Sequence, residues 1–149
     1  MMTRFWPAAA VAIVLASGAC GNDTRDTGAA DGTGTATVPA TNVSVSEIRL
    51  GNAVGGDKRV AEETDDFRTT ETIYASVATA GISPNATLSA RWTFQDGQVV
   101  SEDTQTIAPN GPAYTEFHIS NPSGWPTGDY KVEFFLNGQS VGSKDFEIK

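Results

Sequence analysis

The amino-acid sequence predicts an all-β fold: a single antiparallel β-sandwich of seven strands, preceded by an export leader and a linker. Two observations predict the sandwich. Short runs of alternating apolar and polar residues begin after Val43, and turn-forming residues separate them roughly every 8 to 15 positions. No stretch in this region has the spacing of an amphipathic helix. The chain therefore divides into a leader over 1–19, a segment over 20–42 that begins with a cysteine and continues as a linker, and the sandwich over 43–149.

The strands are predicted from apolar alternation, because successive side chains of a strand point to opposite faces of its sheet. The predicted strands are 43–50, 71–79, 87–95, 99–106, 113–120, 129–136 and 140–148. The residues predicted to face inward are Ile73, Ala75, Val77, Leu88, Ala90, Trp92, Phe94, Phe117, Ile119, Tyr130, Val132, Phe134, Leu136, Phe146 and Ile148. Hairpin turns are expected at Asp96-Gly97, Asn110-Gly111-Pro112 and Asn137-Gly138, because Asn, Asp and Gly adopt positive φ at low steric cost.

The N-terminus has the three parts of an export signal in the expected order. A short positive segment containing Arg4 precedes an apolar run over residues 5–16, and small residues follow up to Cys20. A transmembrane helix needs about 20 apolar residues, and this run is shorter. We therefore predict a leader that is removed from the mature protein.

The residues Leu15-Ala16-Ser17-Gly18-Ala19-Cys20 resemble the lipobox of bacterial lipoproteins. The resemblance implies cleavage between Ala19 and Cys20 and diacylation of the Cys20 thiol. Ser17 departs from the family, which has leucine at that position. Two acyl chains hold a protein stably in a membrane, whereas one does so marginally. Gly21 after the cysteine implies the outer membrane if the host has two membranes, and the outer face of the plasma membrane otherwise.

Residues 21–42 are predicted to be a disordered spacer. They are almost entirely Gly, Ala, Thr, Asp and Asn, with Val38 as the only large aliphatic residue and no aromatic residue. Such a composition offers no apolar face to bury. A flexible chain of this length has a mean reach of roughly 25 Å. We expect it to separate the folded domain from the membrane.

Two features of the predicted strands resemble the immunoglobulin superfamily. Trp92 lies in the third predicted strand, where that fold places a buried tryptophan. Tyr130 follows Thr127-Gly128-Asp129 at the start of the sixth strand, as in a tyrosine corner. Val132 stands where antibody domains have a cysteine. The resemblance covers residues 43–149 and implies an immunoglobulin-like architecture without implying a ligand.

Composition excludes several classes of function. The chain has 10 Lys and Arg residues against 18 Asp and Glu residues, a formal net charge of −8. Its basic residues are scattered singly except for Lys58-Arg59, whereas nucleic-acid phosphates attract clustered cations, so no nucleic-acid partner is expected. The sequence has no glycine-rich phosphate loop, nucleophile elbow or zinc-ligand set. We therefore expect neither a cofactor nor enzymatic activity.

The densest acidic stretch lies between the first two predicted strands. Its members are Asp57, Glu62, Glu63, Asp65 and Asp66. Carboxylates are ligands for hard cations such as calcium, but this spacing does not match an EF-hand loop, and basic residues are interleaved. The preferred interpretation is a solvated, mobile loop. The alternative is a metal-dependent secreted enzyme, or an enzyme's accessory domain, that uses residues 57–66.

Within residues 43–149, five aromatic residues fall outside the predicted inward positions: Phe67, Tyr74, Tyr114, Trp125 and Phe135. Exposed aromatic rings are common in protein and sugar interfaces. Trp125 is predicted to fold over one end of the sandwich. Exposure of Tyr114, Trp125 and Phe135 together would indicate a carbohydrate-binding domain, which is a further alternative. His118 is the only histidine, alternates outward and is expected to be an ordinary surface residue.

Together these observations predict a lipoprotein of the bacterial cell envelope, held in the membrane by the lipid on Cys20. Its sandwich is expected to act as a non-enzymatic module that binds another envelope protein. Tethering favours such binding because it raises the local concentration of the domain near its partner.

Overall fold

The computed structural model describes residues 42–149, and over this range the chain is all-β. Its strands are β1 (Ser44–Gly51), β2 (Asp66–Phe67), β3 (Ile73–Ala80), β4 (Ala86–Phe94), β5 (Gln98–Ile107), β6 (Ala113–Ile119), β7 (Gly128–Leu136) and β8 (Gln139–Ile148). The predicted leader, Cys20 and the predicted linker up to residue 41 lie outside the described residues.

The strands form two sheets. The smaller sheet has the order β1-β3-β6, and the larger has the order β2-β8-β7-β4-β5. Every pairing is antiparallel except that of β2 with β8. The connections over 81–85 and 108–112 each pass from one sheet to the other, because β3 and β6 belong to the smaller sheet while β4 and β5 belong to the larger.

The inward faces of both sheets contribute to one hydrophobic cluster. Trp92 of β4 is fully buried there, and its ring meets that of Phe146 of β8 edge-on, with centroids 5.9 Å apart. Phe117 of β6 contacts Phe134 of β7 at 5.9 Å and so joins the two sheets. Every residue predicted to face inward is buried, except that Phe94 is half-buried against the cluster.

The described residues form eight strands, so the prediction of seven is wrong. The additional strand, β2, lies within the predicted solvated loop and pairs in parallel with the end of β8. Phe67 of β2 is 2% exposed and meets Phe146 edge-on at 5.5 Å, so its placement outside the core is also wrong. Two residues are too few to show alternation, and the neighbouring Asp65, Asp66 and Arg68 gave the segment a polar composition.

Tyr130 forms the predicted tyrosine corner at the start of β7. Its hydroxyl donates a hydrogen bond to the backbone carbonyl of Pro126 at 2.8 Å, and its ring stacks on Phe146 with centroids 5.3 Å apart. Trp125 packs edge-on against Tyr130 at 6.3 Å, and its indole N–H donates to the carbonyl of Glu71 at 3.2 Å. Trp125 therefore covers one end of the core, as predicted.

Two of the three expected hairpin turns join neighbouring strands. Asn137 and Gly138 have φ of 50° and 81° and form the two-residue turn between β7 and β8. The Asn137 side chain also accepts a hydrogen bond from the backbone N–H of Thr87 at 2.9 Å, which ties the turn to β4. Asp96-Gly97 lies between β4 and β5. Asn110-Gly111-Pro112 instead crosses between the sheets, because a local turn signal does not specify which strand the chain pairs with next.

Phe67 tests whether the short strand β2 belongs to the core. We expect Phe67→Ala to lower the free energy of unfolding by about 3–5 kcal/mol, because it leaves a cavity against Phe146. Phe67→Leu should lower the free energy of unfolding by less than Phe67→Ala does. It can still be compared with Val99→Ala if the alanine variant does not fold. Val99→Ala, at a side chain that is 52% exposed, should change stability by no more than about 0.5 kcal/mol. Urea unfolding measures all three variants; an effect of Phe67→Ala as small as that of Val99→Ala would remove β2 from the core.

Tyr130 tests the tyrosine corner. Tyr130→Phe should lower the free energy of unfolding by about 1 kcal/mol at neutral pH, because it removes the hydrogen bond to Pro126. Burial raises the pKa of Tyr130, so the folded state holds its phenolic proton more tightly than the unfolded state does. The wild type should therefore lose more stability than the phenylalanine variant as the pH rises above about 10.

Tyr74→Phe is the matched control for Tyr130→Phe, because Tyr74 lies half-buried on the outer face of β3. It should leave the stability at neutral pH close to that of the wild type. Equal effects of the two substitutions would contradict the role given to the Tyr130 hydroxyl.

Candidate interaction surfaces

The strand register defines two ends of the domain. Ser44 pairs with Ala80, Thr79 with Ala113, and Ala86 with Ile107. The start of β1 therefore lies at the same end as the 81–85 and 108–112 connections and the 137–138 turn. We call this the N-terminal end. The opposite end carries the 52–65 segment, the 95–97 and 120–127 connections and Lys149, and we call it the acidic end.

The N-terminal end has no charged side chain in its loops. Residues 42–46, 80–86, 107–113 and 136–140 contain no Asp, Glu, Lys, Arg or His. Ile82 lies there with 62% of its surface exposed, which is the largest exposed fraction of any large hydrophobic residue in the described chain. The end is therefore uncharged and partly apolar.

The loops of the N-terminal end are joined by backbone hydrogen bonds. The N–H of Gly111 donates to the carbonyl of Gly81 at 2.9 Å, and the N–H of Ser83 donates to the carbonyl of Pro109 at 3.0 Å. Ile82 and Asn110 form an isolated antiparallel bridge. These contacts fix the two connections to each other, so the surface they present is already organised.

The carboxylates proposed as metal ligands do not converge. Asp57 accepts a hydrogen bond from the backbone N–H of Arg59 at 3.2 Å. Glu63 pairs with Lys144 at 3.0 Å, and Asp66 pairs with Lys149 at 2.8 Å. Glu62 and Asp65 are exposed. Within residues 42–149, no three His, Asp or Glu side chains are grouped closely enough to hold a metal ion.

The segment after β1 folds back over the outer face of the smaller sheet. Val54 and Val60 form a bridge, and Val60 is only 5% exposed. Val60 packs directly against Gly51 at the end of β1, where an added side chain would overlap it. The segment also covers Ser76, which points outward and yet is 3% exposed. Val60 therefore anchors this segment to the sheet, a contact that sequence patterns missed, while most of its other residues are exposed to solvent.

A groove of about 280 Å³ lies between this segment and the sheet. The Arg59 guanidinium lies over the Tyr114 ring, 4.5 Å from its centroid. Arg49 and Glu47 form an ion pair of 2.7 Å along one wall, and the hydrogen bond from Arg49 lowers the pKa of the Glu47 carboxyl. The groove is lined by two guanidinium groups, of Arg49 and Arg59, and two carboxylates, of Glu47 and Asp57, which leaves little net charge to attract an ion.

The three aromatic candidates for sugar binding lie apart. Tyr114 faces outward on β6 of the smaller sheet, while Phe135 faces outward on β7 of the larger sheet, 5.0 Å from the Arg91 guanidinium. Trp125 is packed at the acidic end against Tyr130. The carbohydrate-binding alternative requires the three rings to be exposed together on one surface. They do not form such a surface.

His118 is exposed on β6, as its alternation predicted. Its Nδ1 lies 2.8 Å from the Glu116 carboxylate, and its ring lies against Tyr74 with centroids 5.4 Å apart. Residues 42–149 contain no second histidine and no cysteine that could complete a catalytic or zinc-binding set with it. His118 is therefore placed as a surface residue.

Cys20, the predicted lipidation site, and Ala19 lie outside the described residues. No helix in the described part of the chain is long and apolar enough to span a membrane. The uncharged end and the exposed Ile82 were not singled out from the sequence. The sequence did contain a signal, because the connections over 81–85, 108–112 and 137–138 lack charged residues. Only the strand register shows that these connections lie at the same end of the domain.

Comparison with known proteins gives no family assignment. No protein-family model matches the chain, and no curated protein matches it. Among solved structures, an alkylpurine DNA glycosylase from Pseudomonas fluorescens, determined bound to DNA, is similar at 15% identity and a TM-score of 0.47, over 72% of this chain and 30% of that one. The chain therefore spans less than a third of that protein's length.

Two further solved structures are similar. An immunoglobulin-like protein from Pseudomonas aeruginosa matches at 13% identity and a TM-score of 0.49, over 74% of this chain and 99% of that one. The CARDB domain of a Pyrococcus furiosus protein, determined in complex with di-metal ions, matches at 11% identity and a TM-score of 0.47, over 72% of this chain and 88% of that one.

A calcium titration tests the separation of the acidic side chains. We expect no saturable rise in melting temperature up to millimolar calcium, because the acidic candidates do not converge and two of them already pair with lysines. A bound ion at 100 times its dissociation constant would stabilise the native state by about 2.7 kcal/mol. Magnesium chloride and sodium chloride at matched ionic strength control for screening. A saturable rise specific to calcium, removed by Asp66→Asn, would contradict this arrangement.

Proposed function

We propose that the protein is a bacterial envelope lipoprotein whose immunoglobulin-like β-sandwich is a non-enzymatic interaction module. The lipid on Cys20 would attach it to the membrane, and residues 21–42 would let the domain reach another envelope protein. The observation that carries the proposal is the order of the chain: a leader ending at a lipobox-like Cys20, then a polar linker, then a domain that begins at β1.

The fold supports the immunoglobulin-like part of this proposal. The tyrosine corner at Tyr130, the buried Trp92 on β4 and the antiparallel pairing of β4, β7 and β8 are features that the immunoglobulin architecture shares. Val132 is fully buried where antibody domains have one cysteine of their disulfide, and β3 offers Ala75 or Val77, both fully buried, for the partner position. Apolar packing would thus take the place of that covalent link.

The proposal of a non-enzymatic role is supported by the placement of the titratable groups. Asp66, Glu63 and Glu102 each form an ion pair with a basic side chain, and these pairs are exposed to solvent. Enzyme sites generally hold titratable groups with perturbed pKa values inside a cleft. Among residues 42–149, the Tyr130 phenol is the one buried group with a raised pKa, and its hydroxyl is engaged in the tyrosine corner.

Replacement of Cys20 tests the attachment. The wild type should enter the detergent phase on detergent phase separation, and Cys20→Ala should remain in the aqueous phase, because its acyl chains cannot be added. Ser17→Leu is the matched control in the leader, since it brings the sequence closer to the lipobox and should keep the protein in the detergent phase. A wild-type protein found in the aqueous phase would overturn the proposal.

Cross-linking in the same cells extends this test to the interaction role. The wild type should give a discrete adduct with an envelope protein, and the yield should fall in Cys20→Ala, because an untethered domain is not concentrated near its partner. Hydrolytic turnover by purified protein, with no adduct in cells, would favour the enzymatic alternative instead.

A further inference from the structure

We propose that the N-terminal end of the domain rests on the surface of the lipid bilayer that holds the Cys20 anchor. The inference rests on the proposed lipidation and adds an orientation to it. The occupant of this end would be the phospholipid surface itself, which leaves the acidic end facing away from the membrane and free to meet a partner.

The first observation is where the chain leaves the domain. Asn42 is the first described residue, and it lies against Gly81, where an added side chain would overlap the Asn42 carbonyl. The segment that leads to the anchor therefore departs from the N-terminal end. It has 22 residues between Cys20 and Val43, enough to keep the domain within roughly 25 Å of the bilayer on average.

The second observation is the distribution of charge. Bacterial and other anionic lipid surfaces repel acidic residues, and a chain of net charge −8 meets such a surface most favourably through a part that carries no negative charge. The loops of the N-terminal end are that part. The first acidic residues along the strands from this end are Glu47, Glu116 and Glu133.

The depth of the uncharged zone suits a head-group layer. Glu133 lies three residues from the end of β7, and Glu116 lies three residues from the start of β6. At about 3.3 Å per residue, the zone extends roughly 10 Å from the loops. The polar layer on each side of a bilayer is thinner, about 5–8 Å, so the loops could enter it without bringing in a carboxylate from these strands.

The segment folded over the smaller sheet brings one cation and one carboxylate toward this end, because Arg59 and Asp57 line the same groove as Tyr114. Arg59 reaches from the segment folded over the smaller sheet to the Tyr114 ring, next to the start of β6. A guanidinium at this position is attracted by anionic lipid. Asp57 accepts a hydrogen bond from the backbone N–H of Arg59 at 3.2 Å.

The third observation is the exposed apolar surface. The Ile82 side chain is 62% exposed, and the neighbouring Pro84 and Pro112 are also exposed. The backbone bonds between the 81–85 and 108–112 connections hold this surface in place, so docking does not require the loops to be ordered first. Once the anchor is inserted, docking is intramolecular, and a weak apolar contact is then sufficient to set the orientation.

The orientation can be measured with the full-length lipidated protein in vesicles of phosphatidylethanolamine and phosphatidylglycerol. An environment-sensitive fluorophore is attached to Asn85→Cys at the N-terminal end or to Ser123→Cys at the acidic end, both at exposed residues. The acylated Cys20 has no free thiol and does not react. Nitroxide-bearing lipids should quench the fluorophore at residue 85 several-fold more strongly than the one at residue 123.

A second part of the experiment places a negative charge on the surface proposed to contact the bilayer. In the protein labelled at residue 85, Ile82→Asp should reduce quenching to the level of residue 123, and Val99→Asp should not. The two substitutions are matched, because Ile82 and Val99 are the large hydrophobic residues that the domain exposes, at 62% and 52%.

The outcomes separate this inference from the proposed lipidation. Equal quenching at residues 85 and 123 in protein that floats with the vesicles would overturn the orientation and leave the anchor intact. Protein that does not float would overturn both. Excimer emission from pyrene at residue 85, at low surface density, would identify a second copy of the chain as the occupant and would also overturn the proposal.

Discussion

The structure depends on apolar packing between two sheets that share no covalent link. The chain has a single cysteine, at position 20, so no disulfide can join β3 to β7. Phe117 of the smaller sheet instead meets Phe134 of the larger sheet, and Trp92 meets Phe146 on the inner face of the larger sheet. Burial of Trp92 is complete enough that its indole N–H has no hydrogen-bond acceptor. An unpaired buried donor costs about 1–3 kcal/mol, which the ring's apolar contacts must offset.

The same packing accounts for the acidic segment. Its ion pairs with Lys144 and Lys149 join exposed side chains, and exposed pairs of this kind contribute little to stability. Phe67 and Val60 are buried at 2% and 5% and hold the segment to the domain through apolar contact. The carboxylates between them remain at the surface, at the end of the domain opposite the point where the chain departs toward Cys20. The positions of Val60 and Phe67 thus explain why the acidic residues of this segment lie at one end of the domain.

The core was predictable from the sequence because alternation is a local signal. Strands such as β4 and β7 place an apolar residue at every second position, and this pattern specified their inward faces, including Trp92 and Tyr130. The turn at Asn137-Gly138 was predictable for the same reason. Strand β2 was not, because its pairing joins residues far apart in the chain and spans only two residues. The uncharged end was missed because it is assembled from loops that only the register brings together.

The proposed attachment to the envelope depends on a lipid at Cys20, and the N-terminal tryptic peptide of the mature protein reports on that lipid most directly. Cleavage after Arg25 releases a peptide that begins at Cys20 if the leader is removed as the lipobox resemblance implies. Mass spectrometry of membrane-extracted protein should find residues 20–25 carrying two or more fatty acyl chains. A mature N-terminus at another residue, or a peptide with an unmodified thiol at position 20, would contradict the account.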